Sequence, residues 1–115
     1  MAAERATVLV VDDDPSLRLL CRVNLELEGY RVIEAESVDE AQTALDEEEI
    51  DVILLDVHLG NQDGLTLLPA IGEGGAKVAL LTGSPGVLLP PEATVIGKPF
   101  SIDELSETVR RLAGR

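Results

Sequence analysis

Aromatic side chains are almost absent: Tyr30 and Phe100 stand alone among 115 residues, and there is no tryptophan. Such a chain has no ring surface on which exposed bases could stack. Positive charge is scarce too, with 9 lysines and arginines against 22 acidic residues and a formal charge of −13. A field of that sign repels phosphate backbones and anionic membrane surfaces, so neither direct nucleic-acid binding nor membrane association is expected. The single cysteine, Cys21, has no partner for an internal disulfide, and no signal-peptide pattern precedes the first apolar run. Together these imply a cytoplasmic chain. No apolar run approaches the roughly 20 residues that a membrane-spanning helix needs. Cys21 lies at helical spacing from Leu17 and Leu25 and is expected to be buried filler.

Hydrophobic residues nonetheless make up 45% of the chain. With so few rings, the interior must be built from Val, Leu, Ile and Ala, which suits helices packed on a sheet. The length fits one domain with one core. Residues 7–11 read as a strand, and Asp14 followed by Pro15 reads as an N-cap with proline at the first helical position. The helix runs to about Glu28, with Leu17, Leu20, Cys21 and Leu25 facing inward and Gly29 capping its end. Tyr30 to Glu34 forms a second strand. Ser37 and Glu40 have the spacing of a capping box ahead of a helix that buries Val38, Ala41 and Leu45, with the acidic run Asp46 to Glu49 as its solvated end. The stretch DVILLD, residues 51–56, is apolar enough for a strand covered on both faces.

Asp63-Gly64 opens a third helical stretch through Leu65 and Leu68, which Pro69 should kink and Gly72, Gly74 and Gly75 should end. Lys77 to Leu81 and Thr94 to Ile96 are further strands. Ser101 and Glu104 repeat the capping-box spacing before a last helix that buries Leu105, Val109 and Leu112. Alternating strands and helices argue for a parallel α/β sheet with right-handed crossovers and helices on both faces. Residues 83–92 break the pattern: with Pro85, Gly86, Pro90 and Pro91 they hold at most one helical turn, so a fourth helix is expected to be missing or irregular.

Ligands of open α/β sheets bind beyond the carboxyl ends of the strands. Here those ends carry Asp12, Asp13 and Asp14, then Asp56, Thr82 and Lys98. Like charges about 4 Å apart repel by roughly 4 kcal/mol at an effective dielectric of 20, so consecutive carboxylates at a strand end call for an offsetting cation. Oxygen donors with little else suit a hard divalent ion such as magnesium. An isolated carboxylate at Asp56, a cation beside it, and donors from Thr82 and Lys98 are what phosphoryl transfer to a carboxylate requires.

The motifs VLVVDDDP, DVILLDVHLGNQDG, LLTG and GKPF, in this order and across essentially the whole chain, resemble the receiver domain of two-component response regulators. The resemblance implies a flavodoxin-like, doubly wound five-stranded sheet of order 2-1-3-4-5, in a single receiver domain over residues 1–115 without an output domain. It implies that Asp56 is the phosphoacceptor, taking a phosphoryl group from the phosphohistidine of a sensor histidine kinase or a phosphotransfer protein. It further implies that Asp13, Asp56 and the backbone carbonyl of His58 ligate Mg2+, with Asp12 acting largely through water. Thr82 would turn toward the phosphoryl group and Lys98 would pair with it, the bond to Pro99 being cis. Asp14 matches no metal ligand and reads as the helix cap. The imidazole of His58 is expected at the rim, since no second histidine or cysteine completes a transition-metal site.

One position departs from the family. Three residues before the lysine of the GKPF motif most receivers carry Tyr or Phe, whereas this chain has Val95, so ring rotation cannot carry the signal. Ordering of residues 83–92 on phosphorylation is the expected substitute. Such a receiver, monomeric or weakly dimeric, acts through a kinase, a phosphotransfer protein or an output protein contacted in trans. A phosphorylation-independent binding module is the alternative, distinguished by mass after treatment with a phosphodonor. A haloacid-dehalogenase-like phosphatase is a third reading, but D-D-D-P lacks that family's spacing and leaves Asp56 unexplained.

Overall fold

Val8 to Val11 carry only branched apolar side chains, so as a strand they need cover on both faces, and the fold supplies it. The computed structural model describes residues 5–83, 89–90 and 93–114. Strands β1 (Thr7–Val11), β2 (Arg31–Ala35), β3 (Val52–Asp56), β6 (Lys77–Thr82) and β7 (Thr94–Gly97) form one sheet in the order β2-β1-β3-β6-β7. All its pairings are parallel. In order along the sheet this is the expected 2-1-3-4-5 arrangement. Between β3 and β6 a two-residue hairpin, β4 (His58–Leu59) with β5 (Gln62–Asp63), precedes a 3-10 turn over Gly64–Leu67.

Alternate residues of the central strands divide the core into two layers. Val8, Val10, Val52 and Leu54 pack with Cys21 and Leu25 of α1 (Pro15–Leu27) and with Leu105 and Val109 of α4 (Ile102–Ala113). Leu9, Val11, Ile53 and Leu55 pack with Ala41 of α2 (Val38–Glu47) and Ile71 of α3 (Leu68–Gly74). Helices therefore lie on both faces, as expected. β1 and β3 are buried along their whole length.

The helix starts follow their caps. Asp14 accepts from the backbone N–H groups of Ser16 and Leu17, Ser37 from Glu40, and Ser101 and Glu104 exchange both bonds of a capping box, each satisfying donors that the first turn leaves unpaired. Four expectations need correction. Leu20 is exposed rather than inward, because it sits about 100° round the helix from Cys21 and the inner stripe is Leu17, Cys21 and Leu25. Pro69 does not fall inside a continuous helix: it lies in the first turn of α3, directly after the 3-10 turn, where its missing N–H leaves no gap. Gly72 and Gly74 lie inside α3, and the left-handed Gly75 ends it. The expected absence of a fourth helix is not borne out, since four α-helices are present among the described residues. The connection on which that expectation rested falls largely on residues 84–88 and 91–92, outside the described residues, as does the expected ordering of that loop. The Lys98–Pro99 bond is cis.

Burial pushes the Cys21 thiol up to about 12, with the charge of Asp12 adding to it. A thiol that holds its proton more tightly in the folded state adds stability at neutral pH that is lost as pH rises from about 9 to about 12. In the native protein Cys21 should resist an aromatic disulfide reagent at pH 8 and react rapidly in urea. Fast reaction without denaturant would contradict its placement in the core.

Candidate functional site

Every strand of the sheet except the edge strand β2 brings a polar residue to one rim. Asp12 follows β1, Asp56 ends β3, Thr82 ends β6 and Lys98 follows β7. Asp12 is fully buried and Asp56 nearly so, while Asp13 is exposed. One carboxylate oxygen from each of Asp12, Asp13 and Asp56 lies within 4.8 Å of the others. Asp14 takes no part in this triad and caps α1. His58 is exposed in β4; its imidazole is not in the triad, but its backbone N–H donates to Asp56 Oδ1 at 3.1 Å.

Lys98 Nζ stands between two of the acids, 3.0 Å from Asp12 Oδ2 and 3.2 Å from Asp56 Oδ2. Register puts it there: Asp56 pairs with Leu81 and Thr82 pairs with Gly97. The Lys98 amide also donates to the Thr82 carbonyl at 2.8 Å, so the half-buried Thr82 sits on the strand between Asp56 and the lysine's backbone.

Burial disfavours the Asp12 carboxylate and the charge of Asp56 adds to that, so its pKa is raised even though the Asp14 N–H and Lys98 pull it back. For Lys98 burial works against the ammonium, but Asp12 and Asp56 outweigh it and hold its pKa above that of a free lysine. Three carboxylates against one ammonium leave two negative charges unmatched in the pocket. That donor set, all oxygen and doubly negative, fits a hard divalent cation, so the triad could hold a metal ion. Asp12 and Asp56 each engage both carboxylate oxygens, Asp12 with Asp14 N at 2.9 Å and Lys98, Asp56 with His58 N and Lys98; Asp12 is the more deeply buried of the two.

A sequence profile of the response regulator receiver domain matches residues 8–110. The chain belongs to that family. Transcriptional regulatory protein GlrR of Escherichia coli (strain K12) is 32% identical over 117 residues, covering 95% of this chain and 26% of that protein. Sporulation initiation phosphotransferase F of Bacillus subtilis (strain 168) is 27% identical over 112 residues, 90% of each chain. The structure of the response regulator protein TrrA from Thermotoga maritima in complex with Mg(2+)-BeF superposes with a TM-score of 0.81 at 32% identity, covering 93% of this chain and 98% of that one. The receiver spans about a quarter of the length of the first curated relatives it matches. The family is one of two-component phosphoaspartate signalling, and the pocket of Asp12, Asp13, Asp56 and Lys98 in this receiver is consistent with a phosphoaccepting member.

Two residues that shape the pocket are not singled out by their sequence motifs. Gly64 N donates to the Val57 carbonyl at 2.8 Å, and a Cβ on Gly64 would collide with the Asp56 backbone oxygen. The glycine thus lets the 3-10 turn close on the strand end that presents Asp56; the D-G pair hints at a turn but not at this approach. Arg18 Nη1 donates to the Asp12 carbonyl at 2.6 Å. Its signal is a cation in the first turns of a helix, where the macrodipole disfavours positive charge.

Gly64→Ala should therefore lower stability by about 1–3 kcal/mol through overpacking. Gly72→Ala, in a helix with open space around it, should gain roughly 0.5–1 kcal/mol. Urea midpoints of the two variants check this, and equal midpoints would contradict the close approach.

Proposed function

We propose that this receiver is a phosphorylation switch in which Asp56 accepts a phosphoryl group from the phosphohistidine of a sensor histidine kinase or a phosphotransfer protein. The observation that carries the reading is the placement of Asp56: one oxygen faces Lys98 at 3.2 Å, and the carboxylate converges with Asp12 and Asp13. A carboxylate oxygen of Asp56 attacks phosphorus as the phosphorus–nitrogen bond breaks, and its electron pair returns to the donor imidazole, which takes a proton from solvent. Lys98, already close to Asp56, supplies positive charge to the phosphoryl oxygens. Thr82, across one strand, is assigned the hydroxyl donor that follows the phosphoryl group.

Mg2+ would be held by Asp13, Asp56 and the backbone carbonyl of His58, with Asp12 acting largely through water, and would neutralise charge on the transferring group. The magnesium and beryllofluoride held by TrrA support this choice of ion. Residues 1–115 are read as one receiver unit that signals by docking to its kinase, a phosphotransfer protein or an output protein in trans. A monomer or weak dimer in the cytoplasm fits the strong negative charge and the absence, among the described residues, of a helix long and apolar enough to cross a membrane. Val95, 44% exposed where most receivers place a ring, is the observation that favours the second reading, a binding module indifferent to phosphorylation.

Intact mass after incubation with acetyl phosphate and Mg2+ separates the two. Gain of one phosphoryl group, lost in Asp56→Asn and strongly reduced in Lys98→Ala, is expected. Unmodified wild-type protein, or equal modification of Asp56→Asn, would overturn the switch.

A further inference from the structure

We infer that Arg18 is a positioning residue for the cation site, acting by clamping the acidic turn through the backbone carbonyl of Asp12. This rests on the receiver reading of the pocket. Every polar group of Asp12 is tied down: its N–H donates to the Ala35 carbonyl at 3.1 Å, its two carboxylate oxygens face Asp14 N and Lys98, and its carbonyl accepts from Arg18. Three of these partners belong to the turn, the sheet or the pocket itself. Arg18 alone reaches the turn from a helix side chain.

The guanidinium is in turn anchored, with Nε 3.2 Å from Glu34 Oε1 on β2. Glu34 also takes Arg22 Nη1 on its other oxygen at 2.9 Å. A planar fork can serve a carbonyl on one side and a carboxylate on the other, which a single ammonium does poorly. Arg18 is only 14% exposed, unlike the surface pairs whose worth is near zero. Its position early in α1 runs against the helix dipole, so a local partner must hold it there.

Two effects of removing Arg18 oppose each other. Loss of a positive charge near the acids would strengthen cation binding, whereas loss of the clamp would free the turn that carries Asp12 and Asp13. Glu34 already neutralises the guanidinium at contact distance, so the geometric effect should dominate. Partners that orient metal ligands from behind typically govern affinity by 10–100-fold.

Arg22 makes the matched control, because it carries the same charge and touches the same Glu34 but has no contact with the turn among the described bonds. Calorimetric titration with MgCl2 should show Arg18→Met binding about tenfold more weakly than wild type, with Arg22→Met within about twofold. Acetyl phosphate labelling should then need about tenfold more Mg2+ in Arg18→Met while its rate at saturating Mg2+ stays within about twofold, a split that general loss of structure would not produce. If Arg18→Met fails to fold by circular dichroism, Arg18→Lys keeps the stem and charge without the fork and should still bind more weakly than Arg22→Met. Affinity in the Arg18 variants equal to or above wild type, or matched by Arg22→Met, would overturn the clamp while leaving phosphorylation of the wild-type protein intact. Failure of the wild type to be labelled would instead remove the receiver reading.

Discussion

Lys98 between Asp12 and Asp56 is the contact on which the site depends. Two carboxylates some 5 Å apart would repel by roughly 3 kcal/mol at an effective dielectric of 20, and burial of Asp12 sharpens the conflict. The ammonium at 3.0 and 3.2 Å from the two lets them share a pocket without a metal, yet one charge cannot balance three. The residual negative charge suits the pocket to a divalent cation that the triad could hold, consistent with a phosphoaccepting receiver.

The rest of the fold serves to hold that arrangement still. β1 and β3 are neighbours in the sheet and buried on both faces, so Asp12 and Asp56 emerge side by side from rigid strands. Lys98 comes from the opposite edge of the sheet, after β7, and reaches back across the end of β6 to which its own amide is bonded. The turn after β1 is secured from two directions, by the Asp14 cap on α1 and by the Arg18 fork, and the turn after β3 is closed by Gly64. Backbone bonds and one absent side chain thus do as much for the geometry as the charged groups themselves.

Much of this could be read from the residues. Continuous apolar runs ending in carboxylates revealed both the buried parallel strands and the rim, and capping residues located the starts of three helices, because these signals are local. Less legible were features that depend on what approaches from far along the chain. Leu20 and Leu17 are both apolar residues of one helix, and only once packing against the sheet fixes the Leu17, Cys21 and Leu25 stripe as the inner one does Leu20 fall outside it. Pro69 could not reveal that the backbone would change from 3-10 to α just before it. Gly64 and Arg18 act on the backbone oxygens of Asp56 and Asp12, and a backbone oxygen leaves no mark in a sequence.

The most direct measure of the pocket's central claim is thermal unfolding with and without Mg2+ at matched ionic strength. A cation that binds the folded pocket and not the unfolded chain stabilises it by about 2.7 kcal/mol at a hundred times its Kd. Tm should therefore climb by several degrees with MgCl2 but not with NaCl, and the rise should vanish when Asp13, exposed and outside the core, is changed to Asn. A Tm indifferent to millimolar Mg2+, or a rise that survives Asp13→Asn unchanged, would contradict the account.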